Sequence, residues 1–341
     1  MHLTFVVDFR NVFAFLILTL DIILHRMAKN HNSTGGRIIN SLPDDLLLGL
    51  TTVEAICTCV LSPMWRDLWT RLPKLSFHDN ETSTLNWGFA NLVDAALTRA
   101  YGVLNFFEIR IANAANLDVP RLGSWARAVA PRVTGQFKLI VAVLDAQQHT
   151  VIDLPCFPRA RYIFLCLTTN TELRLPMPST GNFAFLNALD LFNLRFGDGG
   201  ASMGDLISSS CPQLQYLRLF NVIGVTELNI QSKQLLKLHL FVLQDLERLH
   251  VVAMKLLVFI VSCCYMRKGR KDPVGTELTV VAPMLKEVTW EGFCPEEMQF
   301  DANKHLDMLS ARWLSVCEFR PNIMWLSHHT NYARIMEHFS H

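Results

Sequence analysis

The chain has 341 residues, half of them hydrophobic and 18% charged, with a formal net charge of +1. That length suggests about two domains, and the charge balance gives no electrostatic reason to expect nucleic acid, an anionic membrane surface or an acidic substrate as a partner. The nine cysteines are an odd number without framework spacing. They sit mostly inside apolar runs (Cys156, Cys166, Cys211, Cys263, Cys264), as reduced, buried thiols of a cytosolic or nuclear protein do, which argues against secretion.

Residues 1–40 read as a leader and linker. Val12 to Leu24, VFAFLILTLDIIL, is thirteen residues long and interrupted by Asp21, whereas a bilayer span needs roughly 20 apolar residues. Extending it back to Leu3 brings in Asp8 and Arg10, and no small-x-small cleavage pattern follows. Three readings stay open: a dispensable leader with translation starting at Met27, a membrane or signal segment, and a packed helix. Asn30 to Gly36 is a flexible linker by its Asn, Ser, Thr and Gly content.

Residues 41–77, SLPDDLLLGLTTVEAICTCVLSPMWRDLWTRLPKLSF, carry dense helical apolar patterning. Ser41 with Pro43 and Asp44 opens a helix, and Leu46, Leu47, Leu48 and Leu50 supply its apolar side. Val53, Ile56, Val60 and Leu61 recur at helical spacing. Ser62-Pro63 repeats the start signal, and Trp65 and Trp69 stand one turn apart beside Leu68. Three short helices in under forty residues cannot hide this much surface internally, so part of it should meet a partner.

The block LPDDLLL, then VEAICTCVLSPMWRDLW, then LPKLSF resembles the F-box of plant F-box/leucine-rich-repeat proteins. That resemblance implies docking onto the small Skp-type adaptor of a cullin-RING ubiquitin ligase, with the docking residues falling on Leu42, Pro43, Leu46, Leu61, Trp65 and Trp69. The chain departs from the family pattern twice. It is about four residues shorter between Leu42 and Ala55, which is about one helical turn, and Pro63-Met64 replaces a basic pair.

Residues 78–105 form a connecting segment, polar at first and helical over Leu92 to Tyr101. From Phe106 the pattern turns to short β-like runs, FFEIRIANA, FKLIVAVLD, RYIFLCL and ELRLP, punctuated by Pro, Asn and Asp. An internal period then emerges. Leu186-x-x-Leu189-x-Leu191 recurs as Leu214-x-x-Leu217-x-Leu219 and Leu235-x-x-Leu238-x-Leu240. Looser copies follow at Leu256-x-x-Phe259-x-Val261 and Leu285-x-x-Val288-x-Trp290. The steps of 28, 21, 21 and 29 residues suit leucine-rich repeats of about 20 to 29 residues.

The fold expected is α+β: a small three-helix F-box, then an α/β solenoid of short parallel strands over residues 106–292 with a partly helical convex side. Met203–Cys211 is the helical candidate, while Leu228-x-Ile230 and Leu249-x-Val251 would make the back of the shorter repeats extended. Residues 293–341 read as a terminal cap or tail, with Trp313, Trp325 and Phe339 in a helix-compatible context. Between the inward leucines, Asp190, Arg218, His239, Ile260 and Thr289 should face the concave surface, where the polar members Asp190, Arg218, His239 and Thr289 are candidates for holding a target protein.

Other signals carry no chemistry. Cys57-x-Cys59 points to different helix faces and lacks a second pair, so it is not a zinc site. Arg267 to Lys271 reads as an inter-repeat loop. GDGGASMG, from Gly197 to Gly204, lacks the Gly-Lys-Ser/Thr of a phosphate loop, and the tail histidines lack carboxylate partners. No cofactor, metal or catalytic constellation is expected. The function expected is a non-catalytic substrate-recognition subunit of a Skp–cullin–F-box ligase in the nucleus or cytoplasm, contacting adaptor, cullin complex and a target protein but neither nucleic acid nor membrane. The alternatives are a membrane-tethered repeat protein, if residues 12–24 insert, or a ligase-independent leucine-rich-repeat interaction protein.

Overall fold

The structure, a computed structural model, describes Thr52 and residues 72–82, 88–100, 102–113, 118–142, 150–168, 170–197, 202–243, 245–264, 275–292, 295–302 and 308–312. Its organisation follows from period-two burial. Strands β7 (Ala188–Phe196), β8 (Tyr216–Ile223), β10 (Lys237–Phe241), β12 (Val258–Cys264) and β14 (Glu287–Gly292) each send two residues inward at a spacing of two. These are Leu189 and Leu191, Leu217 and Leu219, Leu238 and Leu240, Phe259 and Val261, and Val288 and Trp290, none more than 2% exposed. The strands pair in parallel with Leu189, Leu217, Leu238, Phe259 and Val288 side by side. The sequence period has become a strand register. Parallel neighbours cannot be joined by a tight hairpin, so the chain crosses behind the sheet between one strand and the next.

The same sheet extends towards the N-terminus through β1 (Lys74–His78), β2 (Leu104–Ile111), β3 (Val133–Val141) and β5 (Tyr162–Cys166), and beyond β14 to β16 (Met308–Arg312). The short strands β4 (Thr150–Asp153) and β6 (Thr171–Arg174) join along the far half of β7. Every described pairing is parallel. Strands therefore begin at Lys74, inside the block that resembles an F-box, and continue past residue 292. The first departure arises because KLSFH is a single five-residue alternation with Leu75 and Phe77 inward and fully buried, too short to register as a period. Thr52, itself buried, meets the outer edge of β1, its Oγ1 accepting a hydrogen bond from Ser76 N at 2.7 Å.

What crosses behind changes along the molecule. Between β1 and β2 runs helix α1 (Phe89–Arg99), burying Phe89, Leu92, Val93 and Ala96. Between β2 and β3 runs α2 (Val119–Val129), started by Asp118, whose side chain accepts from Arg121 N, and by a proline in the first turn. Trp125 of α2 meets Phe89 edge-on at 6.1 Å and donates its indole N–H to Asp94 at 2.5 Å. Met203–Asp205 forms one helical turn that continues as a wider turn over Leu206–Ser210. After that the back is a second sheet, β9 (Glu227–Ser232), β11 (Arg248–Ala253), β13 (Glu277–Ala282) and β15 (Glu297–Ala302), in sequential parallel order. Leu228, Ile230, Leu249, Val251, Leu278 and Val280 point from it into the core, each at most 1% exposed. The architecture is α+β with mostly parallel strands and few helices, and it fits a repeat solenoid.

The coils led by β7, β8, β10, β12 and β14 turn the corner by the same device. Asn193, Asn221, Val242, Cys263 and Gly292 all have positive φ, between 51° and 99°, at the end of the regular pairing. The extra residue lets Leu194, Val222, Leu243 and Cys264 point inward three places after the previous inward residue, and all four are at most 1% exposed. Asparagine tolerates this conformation well, and Asn221 Nδ2 donates to Asn193 Oδ1 at 3.0 Å.

Candidate functional site

The face of the long sheet turned away from the core is the surface the fold builds with most regularity. Register sets its side chains in rows across the strands. One row runs Glu108, Lys138, Phe164, Asp190, Arg218, His239, Ile260 and Thr289. The four polar residues read from sequence as target contacts, Asp190, Arg218, His239 and Thr289, thus do lie in one line, with Ile260 between His239 and Thr289.

Their exposures separate them. Asp190 is only 1% exposed, so it holds its neighbours in place rather than presenting itself to solvent. Its Oδ2 accepts from the Tyr162 hydroxyl at 2.8 Å and from an Arg218 terminal nitrogen at 3.1 Å, while Oδ1 accepts from Arg218 Nε at 3.2 Å. This two-pronged clasp fixes the guanidinium plane. Arg218 in turn lies over the rings of Phe192, at 5.4 Å, and Tyr216, at 5.2 Å, a cation–π arrangement on both sides. Its side chain keeps 36% of its surface accessible.

Burial and the adjoining Asp190 push the Tyr162 phenol well above its usual range, so it stays a hydrogen-bond donor. The Tyr216 hydroxyl is also pushed up, first by burial, and lies 3.2 Å from His239 Nδ1. Burial, then the charges of Arg218 and Lys237, lower the His239 pKa. Its Nε2 is buried without a hydrogen-bond partner. The ring is therefore neutral at neutral pH.

Around this charged centre stands a set of aromatic side chains that reasoning from the leucine period missed. Phe164, Phe192, Phe220 and Phe241 succeed one another with ring centroids 5.2, 5.5 and 6.0 Å apart. Phe192, Phe220 and Phe241 share one register row, and Phe220 is 37% exposed. The signal was present: Leu-x-Leu is followed at once by Phe in DLF, RLF and HLF of β7, β8 and β10.

Nearer the N-terminus the face is charged. Glu108, 8% exposed, accepts from Arg110 at 3.2 Å and Ser76 at 3.3 Å, with His78 at 3.6 Å. Lys138 lies over the Phe106 ring at 5.2 Å. At the other end β14 contributes Glu287 and Glu291, the latter accepting from Ser262 Oγ at 2.7 Å.

Burial raises the thiol pKa of Cys211 and Cys264 to about 12, which leaves both unreactive at neutral pH. Among the described residues there is no group of three metal-ligating side chains, and no helix is long and apolar enough to cross a membrane. The adaptor-contact positions Leu42, Pro43, Leu46, Leu61, Trp65 and Trp69 lie outside the described residues, as do 12–24, Met27, Cys57, Cys59 and the basic run 267–271.

Comparison with known proteins points in one direction. Over 215 residues, 59% of this chain and 45% of the relative, the chain is 28% identical to an F-box/FBD/LRR-repeat protein of Arabidopsis thaliana. F-box/LRR-repeat protein 13 of the same plant is 25% identical over 213 residues, 58% of this chain and 45% of its own length. A further F-box/FBD/LRR-repeat protein from it reaches 56% identity over 46 residues, 12% of this chain and 10% of the relative. The chain thus spans less than half the length of the curated relatives it matches. No family profile matches it.

Proposed function

We propose that the chain, which is similar to plant F-box/leucine-rich-repeat proteins over more than half of its length, is the non-catalytic substrate-recognition subunit of a Skp–cullin–F-box ubiquitin ligase. Residues 41–77 dock the Skp-type adaptor through Leu42, Pro43, Leu46, Leu61, Trp65 and Trp69, and the outer face of the long sheet holds a target protein. The mechanism is tethering. Holding both at once raises the target's effective concentration beside the ubiquitin-loaded enzyme without covalent chemistry by this chain.

The observation that carries the reading is the clasped Arg218 on a register-locked aromatic face. Tyr, Phe and Arg held rigidly are the residues that dominate binding energy at protein interfaces, and rigidity cuts the entropy lost on binding. The polar residues Arg218, His239 and Thr289 contribute contacts there, with Asp190 behind them. Pull-down of a purified Skp-type adaptor by the full chain tests the first half: the wild-type chain retains the adaptor, and Trp65→Ala combined with Leu61→Ala loses it. Retention by the double variant, or none by the wild type, overturns the ligase reading.

A further inference from the structure

The outer face is polarised along the axis of the sheet, and that polarity describes a partner. On β2 and β3 it presents Arg110, whose side chain is half exposed, and Lys138. The one acid among them, Glu108, is buried and paired with Arg110, with Ser76 and His78 beside it, so one net positive charge, that of Lys138, is left at this end. From β5 to β10 it presents the phenylalanine stripe around Arg218, whose charge Asp190 neutralises. Lys237 stands at the margin of this stretch. On β12 Val258 and Ile260 prolong the apolar surface, and on β14 the partly exposed Glu287 and Glu291 close it.

We propose that this face docks an extended peptide segment lying across the strands, with an acidic residue over Arg110 and Lys138, two or three apolar side chains over the phenylalanines, and a basic residue over Glu287 and Glu291. The inference rests on the substrate-receptor reading and supplies the chemistry of its target. From β3 to β14 the sheet advances six strand intervals, about 29 Å at roughly 4.8 Å each, which matches about nine extended residues at about 3.3 Å. Opposite charges at the two ends fix the peptide's direction and exclude wrong partners more than they add affinity. The apolar centre, where Phe220 and Phe241 are open to the solvent side, supplies the binding energy.

The test is a phage-displayed library of random ten-residue peptides selected on the full chain and counter-selected on Phe220→Ser, with far-UV circular dichroism confirming that the variant keeps its fold. The expected consensus has an acidic end, an apolar middle and a basic end. A synthetic peptide of that consensus binds Phe220→Ser at least tenfold more weakly than wild type. Lys138→Glu weakens it too, and replacing the peptide's acid with lysine restores binding to that variant. No enrichment, a consensus without opposed ends, undiminished binding to Phe220→Ser, or self-association of the chain through this face in sedimentation overturns the proposal. Adaptor pull-down separates the two readings. If the adaptor binds while no such peptide does, only the peptide proposal fails; if the peptide binds while the adaptor does not, the ligase reading fails and the docking face stands.

Discussion

Replacing Asp190 by alanine should unfold the centre of the outer face at its weakest bargain, a cation without its counterion. The side chain accepts three hydrogen bonds, from the Tyr162 hydroxyl at 2.8 Å and from Arg218 at 3.1 and 3.2 Å. Removing one partner of a buried ion pair costs about 3–5 kcal/mol. Arg218 keeps 36% of its side-chain surface accessible, so water recovers part of the loss, and the expected cost is about 2–3 kcal/mol. With m about 2–3 kcal/mol per molar urea, the unfolding midpoint of the full chain, followed by far-UV circular dichroism, falls by about 1 M. The double variant Asp190→Ala, Arg218→Met no longer strands a charge and should recover about 1–2 kcal/mol of that loss. Costs that simply add, with the double variant no better than Asp190→Ala alone, would refute the clasp as the source of stability.

Three further outcomes follow from particular atoms. Val242→Asn places at φ 56° a residue suited to that conformation in place of a β-branched one, and should raise the urea midpoint by an amount equivalent to about 1 kcal/mol. Gly135→Ala drives a Cβ into the Asn105 carbonyl and side chain, and should lower stability by about 1–3 kcal/mol with the β2–β3 register the first casualty in hydrogen exchange. His239 has a folded pKa below its unfolded value, through burial and then Arg218 and Lys237. The unfolded chain therefore binds the proton first as pH drops below about 6.5. Its contribution is fully present above that value and is lost on acidification towards the lower folded pKa. Urea midpoints measured from pH 7.5 to 5.5 should fall less steeply in His239→Gln than in wild type.

The leucine period made the central coils legible before any coordinates. Steps of 28, 21, 21 and 29 residues between Leu189, Leu217, Leu238, Phe259 and Val288 turn directly into the observed register. The extended back of the shorter repeats was legible from Leu228-x-Ile230 and Leu249-x-Val251. Both ends were harder. β1 is one isolated alternation, and β15 buries Met298 and Phe300 only partly, so neither repeats strongly enough to stand out from noise. Helix α2 lies among short β-like runs, and its apolar stripe of Leu122, Trp125, Ala126 and Val129 was overlooked beside them. Asp190 reads from alternation as a solvent-facing residue. Its burial depends on Tyr162 and Arg218, each 28 residues away in sequence, closing over it from both neighbouring strands. Such lateral neighbours can be read only once the register is fixed, and the aromatic stripe was hidden for the same reason.

Isothermal titration of a purified Skp-type adaptor into three forms of the full chain decides between a tethering receptor and a mere repeat scaffold. Wild type and Phe220→Ala should bind with equal affinity, because Phe220, on β8, is not among the residues proposed to dock the adaptor. Trp65→Ala with Leu61→Ala should lose several kcal/mol, about a hundredfold or more in Kd. Adaptor binding that survives the double substitution, or that falls equally with Phe220→Ala, would contradict the division of labour between the two parts of the chain.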